Sequence, residues 1–108
     1  IKTIFMSREN SQIVKERAKK INPALTFFGI LNKEKLLGKI CKEFKITKNE
    51  IAYIGDDVND LDVLKAVGLS AMPPNSPILN QFTPDYLTTR SGGDGAFRDF
   101  VDFILFQQ

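Results

Sequence analysis

Three carboxylates fall within the short stretch Gly55-Asp56-Asp57-Val58-Asn59-Asp60, between the apolar run Ile51-Ala52-Tyr53-Ile54 and the segment Leu61-Asp62-Val63-Leu64-Lys65-Ala66-Val67. The apolar run reads as a short buried strand and the later segment as a helix with apolar residues at helical spacing, so the acids crowd the C-terminal tip of a strand. In an open α/β sheet that tip is where ligands bind, and bunched carboxylates repel one another unless a cation or a proton offsets their charge. A hard, oxygen-liganded ion such as Mg²⁺ is the simplest resolution. The competing reading is that Asp57 or Asp60 caps the helix, where Asp is a preferred residue. One helix start needs one cap, and there are three acids.

The rest of the chain repeats the same strand-to-helix grammar, which predicts an α/β fold: a Rossmann-like three-layer sandwich with a mostly parallel sheet. Strands are expected over Ile1 to Met6, Leu25 to Phe28, Leu69 to Met72 and Tyr86 to Thr89. Helices are expected over Gln12 to Ile21, with Ile13, Val14, Arg17 and Ile21 on one side, and over Lys33 to Phe44, with Leu36, Leu37, Ile40, Cys41 and Phe44 as a core stripe. A short helix is predicted around Pro77 to Gln81 and a longer one from Ala96 to Phe106, where Phe97, Val101 and Ile104 should face the sheet. Asn22-Pro23, Gly68 and Pro73-Pro74 punctuate these elements.

At 108 residues the chain reads as one domain or part of one. A net charge of +2, with basic residues spread without aromatic interleaving, argues against a nucleic-acid partner. There is no apolar run of membrane-spanning length and no visible secretory signal, so a cytoplasmic protein is expected. The single cysteine, Cys41, cannot form an intrachain disulfide and reads as a core residue, and the absence of histidine removes the commonest general base and His-based zinc sites. Because Ile1 opens directly on a strand-like run, the chain is expected to be a segment of a longer polypeptide.

Two further residues gain meaning from position. Ser7 follows the first strand, where a hydroxyl and the free amides of a helix start make a small anion site, although taken alone a capping role is the better account of it. Lys33 opens a helix at the same sheet edge, where its point charge could meet a phosphate, although alone it reads as a solvated lysine and its neighbour Lys35 competes for the role.

Taken in order, Ser7, Lys33 and Gly55-Asp56-Asp57 with Asp60 resemble motifs two, three and four of the haloacid dehalogenase superfamily of phosphatases. Asn32-Lys33, Ala52 to Asp60, Val67-Gly68-Leu69-Ser70, Asp85-Tyr86-Leu87-Thr88 and Gly92-Gly93-Asp94-Gly95-Ala96-Phe97-Arg98-Asp99 together resemble its capless branch. That branch holds the 3-deoxy-D-manno-octulosonate 8-phosphate and N-acylneuraminate 9-phosphate phosphatases and the C-terminal domain of some acylneuraminate cytidylyltransferases. The resemblance implies a Mg²⁺-dependent phosphatase of sugar-acid phosphates. It implies metal-site roles for Asp56 and Asp60, and catalytic roles for Ser7, which would hydrogen-bond the phosphoryl group, Lys33, which would neutralise it, and Asp57, which would support the metal and its waters. Arg8, Asn32, Gly92, Gly93 and Arg98 would contact substrate.

Two departures from the family pattern stand out. No Asp-x-Asp precedes Ser7, so the nucleophile strand is expected to be absent from this partial core domain, and the chain alone is expected to be inactive. Asp94 stands where the octulosonate phosphatases tend to carry arginine, and an acid there would repel a substrate carboxylate. The alternative function is a catalytically inactive oligomerisation module joined to a cytidylyltransferase. A receiver-like signalling domain fits less well, because its paired acids lie near the N-terminus. The apolar residues of the last helix and the glycine-rich loop lead us to expect a homo-oligomer, and the family resemblance implies a tetramer.

Overall fold

The computed structural model describes residues 4–6, 12, 15–16, 19, 25–27, 29–30, 32–91 and 95–106. The chain divides into two compact units, Ile1–Leu36 and Leu37–Gln108.

In the first unit β1 (Ile4–Met6) pairs in parallel with β2 (Leu25–Phe27), Ile4 opposite Leu25 and Met6 opposite Phe27. Parallel strands need a crossover between them, commonly a helix. Gln12, Lys15, Glu16 and Lys19 are helical and exposed, and the Gln12 side-chain amide donates to Glu16 at 2.8 Å. The expected apolar side of that helix, Ile13, Val14, Arg17 and Ile21, lies outside the described residues. Next in the chain is α1 (Lys33–Phe44), on which Leu37 and Ile40 are buried and Leu36, Cys41 and Phe44 half-buried, as the stripe predicts.

The second unit is built on three parallel strands in the order β3 (Ala52–Ile54), β4 (Leu69–Met72), β5 (Tyr86–Leu87). Ala52 lies opposite Leu69 and Ala71 opposite Tyr86, so the C-terminal ends of all three strands share one edge. Gly68 brings the chain into β4 through a close backbone crossing: its amide donates to the carbonyls of Lys48 at 3.1 Å and Ile51 at 3.2 Å. A Cβ there would fall 2.0 Å from the Asn49 carbonyl oxygen, so no other residue fits. The core of the unit is Leu64 from α2 (Leu61–Ala66), Met72 from β4 and Ile78, with Tyr53, Leu61, Leu79 and Phe82 packed against it. Cutting such a residue back to alanine costs about 2–5 kcal/mol, and this cluster lies directly beneath the connections that leave β3 and β4.

Two expectations are corrected. Pro77 to Gln81 is a run of turns and not a helix: Gln81 bonds back three residues to Ile78 at 2.9 Å, and only Phe82 makes a four-residue return, also to Ile78, at 3.2 Å. The last strand ends at Leu87. Thr88 still donates to the Met72 carbonyl at 3.0 Å, but the Thr89 amide turns away to the Asp99 carboxylate at 2.6 Å and the ladder stops. On α3 (Ala96–Phe106) the fully buried residues are Ala96 and Phe100, while Phe97, Val101 and Ile104 are only half-buried. Tyr86 on β5 stacks on Phe103, itself half-buried, with ring centroids 4.0 Å apart, and its ring lies 6.3 Å from that of the buried Phe100. Among the described residues no helix is long and apolar enough to cross a membrane.

Candidate functional site

The loop leaving β3 is exposed at its carboxylates and anchored from below. Gly55 extends the ladder by donating to the Ala71 carbonyl at 3.2 Å. Asp56, Asp57 and Val58 then face solvent, whereas Asp60 is only 3% exposed. One oxygen of the Asp60 carboxylate accepts the Tyr53 hydroxyl at 2.6 Å, and the other accepts the backbone amides of Asp56 and Asp57, each at 3.1 Å. A buried charge survives when donors of this kind surround it. Asp60 therefore returns to the loop that precedes it and fixes the two peptide groups that carry the exposed acids. Gly55 is required by this return, since a Cβ on it would stand 2.7 Å from the Asp60 Cβ.

Ser76, in the connection after β4, reaches the same loop from the side. Its hydroxyl is buried and donates to the Asp56 carbonyl at 3.1 Å. Asp57 performs the capping role weighed for it: its carboxylate accepts the Val58 amide at the start of the 3-10 turn Val58–Asp60. The Tyr53 phenol is pushed far above its ordinary pKa, first by burial, then by the charge of Asp60 and the hydrogen bond to it, and last by the charge of Asp56. It stays a donor at any pH the protein meets.

Among the described residues no trio of His, Cys, Asp or Glu side chains is gathered closely enough to hold an ion by itself. Mg²⁺ does not require one, because it keeps most of its waters and takes one or two carboxylates together with phosphate oxygens. An exposed Asp56 at the end of β3, on a loop whose backbone is already fixed, suits that demand. Asp60, with three donors on its oxygens, suits support from beneath.

The other residues singled out by sequence are placed as follows. Lys33 is half-buried at the first position of α1, and Asn32 is that helix's cap, its side-chain oxygen accepting the Lys35 amide at 2.9 Å. Both belong to the first unit and the acidic loop to the second. Arg98 is exposed on α3 and donates to Asp102 at 3.2 Å. Ser7, Arg8, Gly92, Gly93 and Asp94 lie outside the described residues.

Sequence reasoning missed Tyr53 and Ser76. A signal existed for Tyr53, because a tyrosine in a strand that packs on a core needs a partner for its hydroxyl, and Asp60 is near in sequence. For Ser76 there was none, since a serine among the prolines 73, 74 and 77 reads as ordinary turn chemistry.

A second carboxylate clamp closes the loop after β5. Asp99 on α3 accepts the Tyr86 hydroxyl at 2.9 Å, the Thr89 amide at 2.6 Å and the Thr89 hydroxyl at 3.0 Å. Its carboxyl is held below the usual range, chiefly by the Thr89 amide, with the Tyr86 and Thr89 hydroxyls and the Arg90 amide adding to the effect and desolvation opposing it.

Residues 6–89 match the haloacid dehalogenase-like hydrolase family. Over 105 residues the chain is 34% identical to a 3-deoxy-D-manno-octulosonate 8-phosphate phosphatase of Haemophilus influenzae, covering 97% of this chain and 58% of that protein. It also matches N-acylneuraminate cytidylyltransferase B of Danio rerio at 28% identity over 67 residues, covering 62% of this chain and 16% of that protein. Among solved structures, the octulosonate 8-phosphate phosphatase of Moraxella catarrhalis in complex with magnesium, phosphate and the sugar acid superposes with a TM-score of 0.89 at 31% identity, covering all of this chain and 62% of that one. The chain thus spans about three fifths of the length of the phosphatases it matches.

Proposed function

The chain belongs to the haloacid dehalogenase-like hydrolases, and from that premise we propose that the protein is a Mg²⁺-dependent phosphatase hydrolysing the phosphate monoester of a 2-keto-3-deoxy sugar acid. Octulosonate 8-phosphate and a nonulosonate 9-phosphate are the candidate substrates. The observation that carries this reading is the preset Gly55–Asp57 loop at the C-terminal end of β3, in a chain 34% identical to an octulosonate 8-phosphate phosphatase.

Asp56 would hold Mg²⁺, with Asp60 supporting it through the loop and Asp57 through its waters. When bound, the ion offsets negative charge on the phosphoryl oxygens. Ser7 would hydrogen-bond the phosphoryl group and Lys33 would neutralise it. Positioning and charge of this kind supply most of the catalysis of phosphoryl transfer. Arg8, Asn32, Gly92, Gly93 and Arg98 contact the sugar acid, and Asp94 biases the choice between the two candidates. The protein assembles as a homo-oligomer, a tetramer, a reading supported by Leu105 and Phe106, which are 52% and 85% exposed at the end of α3.

The test is phosphate release by the full-length protein from octulosonate 8-phosphate, N-acetylneuraminate 9-phosphate and, as a control, glucose 6-phosphate, with Mg²⁺ or with chelator. Mg²⁺-dependent release from at least one sugar acid, abolished by Asp56→Ala, is expected. Failure to cleave either sugar-acid phosphate in Mg²⁺ would overturn the proposal. A light-scattering mass of a single chain would overturn the assembly.

A further inference from the structure

Asp56 is exposed, yet its backbone is gripped on both sides. Its amide donates to the buried Asp60 carboxylate at 3.1 Å, and its carbonyl accepts the hydroxyl of Ser76 at 3.1 Å. Ser76 is 8% exposed and comes from a different connection, the one that leaves β4 through Pro73 and Pro74. The serine is itself fixed: its amide donates to the Pro73 carbonyl at 3.2 Å, and its oxygen receives the Ile78 amide at 3.4 Å. Ile78 in turn belongs to the core with Leu64 and Met72. A continuous chain of contacts therefore runs from the core through Ser76 to the peptide that carries the Asp56 side chain.

We propose that Ser76 is a positioning residue for Asp56, fixing the plane of the Asp56 peptide so that the carboxylate is aimed before any ion arrives. The proposal rests on Asp56 as the metal ligand. The physical reason for a second grip is geometric. Asp60 alone fixes the amides on either side of the Asp56 α-carbon, but with its carbonyl free the peptide linking Asp56 to Asp57 can still tilt, and the carboxylate would swing with it. Partners standing behind a ligand in this way raise metal affinity by holding the ligand's orientation, and their loss commonly weakens binding about tenfold or more. Ser76 does not touch the ion or the substrate, so its effect should fall on affinity for the ion and on turnover at limiting metal. It should not fall on the fold.

The experiment uses the full-length protein with Mn²⁺ as the probe, its free concentration followed by electron paramagnetic resonance, and with melting temperature recorded in parallel. Ser76→Ala is expected to weaken Mn²⁺ binding about tenfold and to leave the melting temperature within a few degrees of wild type. Ser76→Thr, which keeps the hydroxyl, is expected to restore most of the affinity. If Ser76→Ala does not fold, Ser76→Cys, close in size and a poor donor, carries the same expectation. Asp56→Ala separates the two ideas. If it binds Mn²⁺ as well as wild type, the metal-ligand reading has failed. If Asp56→Ala abolishes binding while the folded Ser76 variant binds as tightly as wild type, the ligand reading stands and the positioning role of Ser76 is wrong.

Discussion

The two strand-end loops of the second unit use one device at two depths. After β3, the carboxylate of Asp60 binds a tyrosine hydroxyl and two loop amides and is almost completely buried. After β5, the carboxylate of Asp99 binds a tyrosine hydroxyl and the Thr89 amide, and Thr89 itself is exposed. The chemistry is the same. What differs is the cost of losing it, because a buried donor without a partner forfeits its full desolvation free energy, whereas water replaces the acceptor at the surface. Burial of the acceptor is thus what makes the β3 loop, and not the β5 loop, a rigid platform for exposed acids.

The comparison is broken most forcefully by Asp60→Ala. It removes the buried acceptor that holds the Tyr53 hydroxyl and the two loop amides and is expected to cost on the order of 3 kcal/mol in denaturant unfolding, with Asp99→Ala costing clearly less. Equal losses would mean that burial is not the deciding difference. Tyr53→Phe removes one donor from a buried charge and should cost about 1.5–3 kcal/mol, again more than Tyr86→Phe measured in the same way. Gly55→Ala drives a methyl into Asp60 and is expected to cost about 1–3 kcal/mol, with loss of Mn²⁺ affinity as Asp60 is displaced. Unchanged stability and affinity in that variant would show that the loop can shift freely.

The smallest effect is a pH dependence at Asp99. Its folded pKa lies below the ordinary value, so its stabilising contribution is present above the unfolded carboxylate value of about 4 and is lost as pH falls through the folded value. The stability gap between wild type and Asp99→Asn should be widest near neutrality and should close below about pH 4. A gap that stays constant on acidification would contradict the assignment of Asp99 as an ionised clamp.

These contrasts also explain what was legible in the chain. The acidic strand tip, the parallel strands and the buried stripe of α1 follow from local pattern, since strand, turn and helix each leave a periodic signature. The capping by Asp57 was readable for the same reason. The stack of Tyr86 on Phe103 was not, because it is a contact between elements. Nor was the end of β5, which stops where Asp99, ten residues later, captures the Thr89 amide. Asp60 was legible as an acid at the tip, but its burial depends on Tyr53 and on the core beneath the loop. Pattern predicts which residues gather at a strand end; the packing of neighbouring elements decides which of them face water.

The exposed acids after β3 sit on a backbone held by the buried carboxylate of Asp60. Amide hydrogen exchange of the full-length protein, measured residue by residue without metal, tests this directly. The amides of Asp56 and Asp57 lie at the surface in an irregular loop, yet they are expected to exchange at least about tenfold more slowly than the Thr89 amide, because opening them requires breaking the Asp60 site. Exchange at Asp56 and Asp57 as fast as at Thr89 would contradict the account.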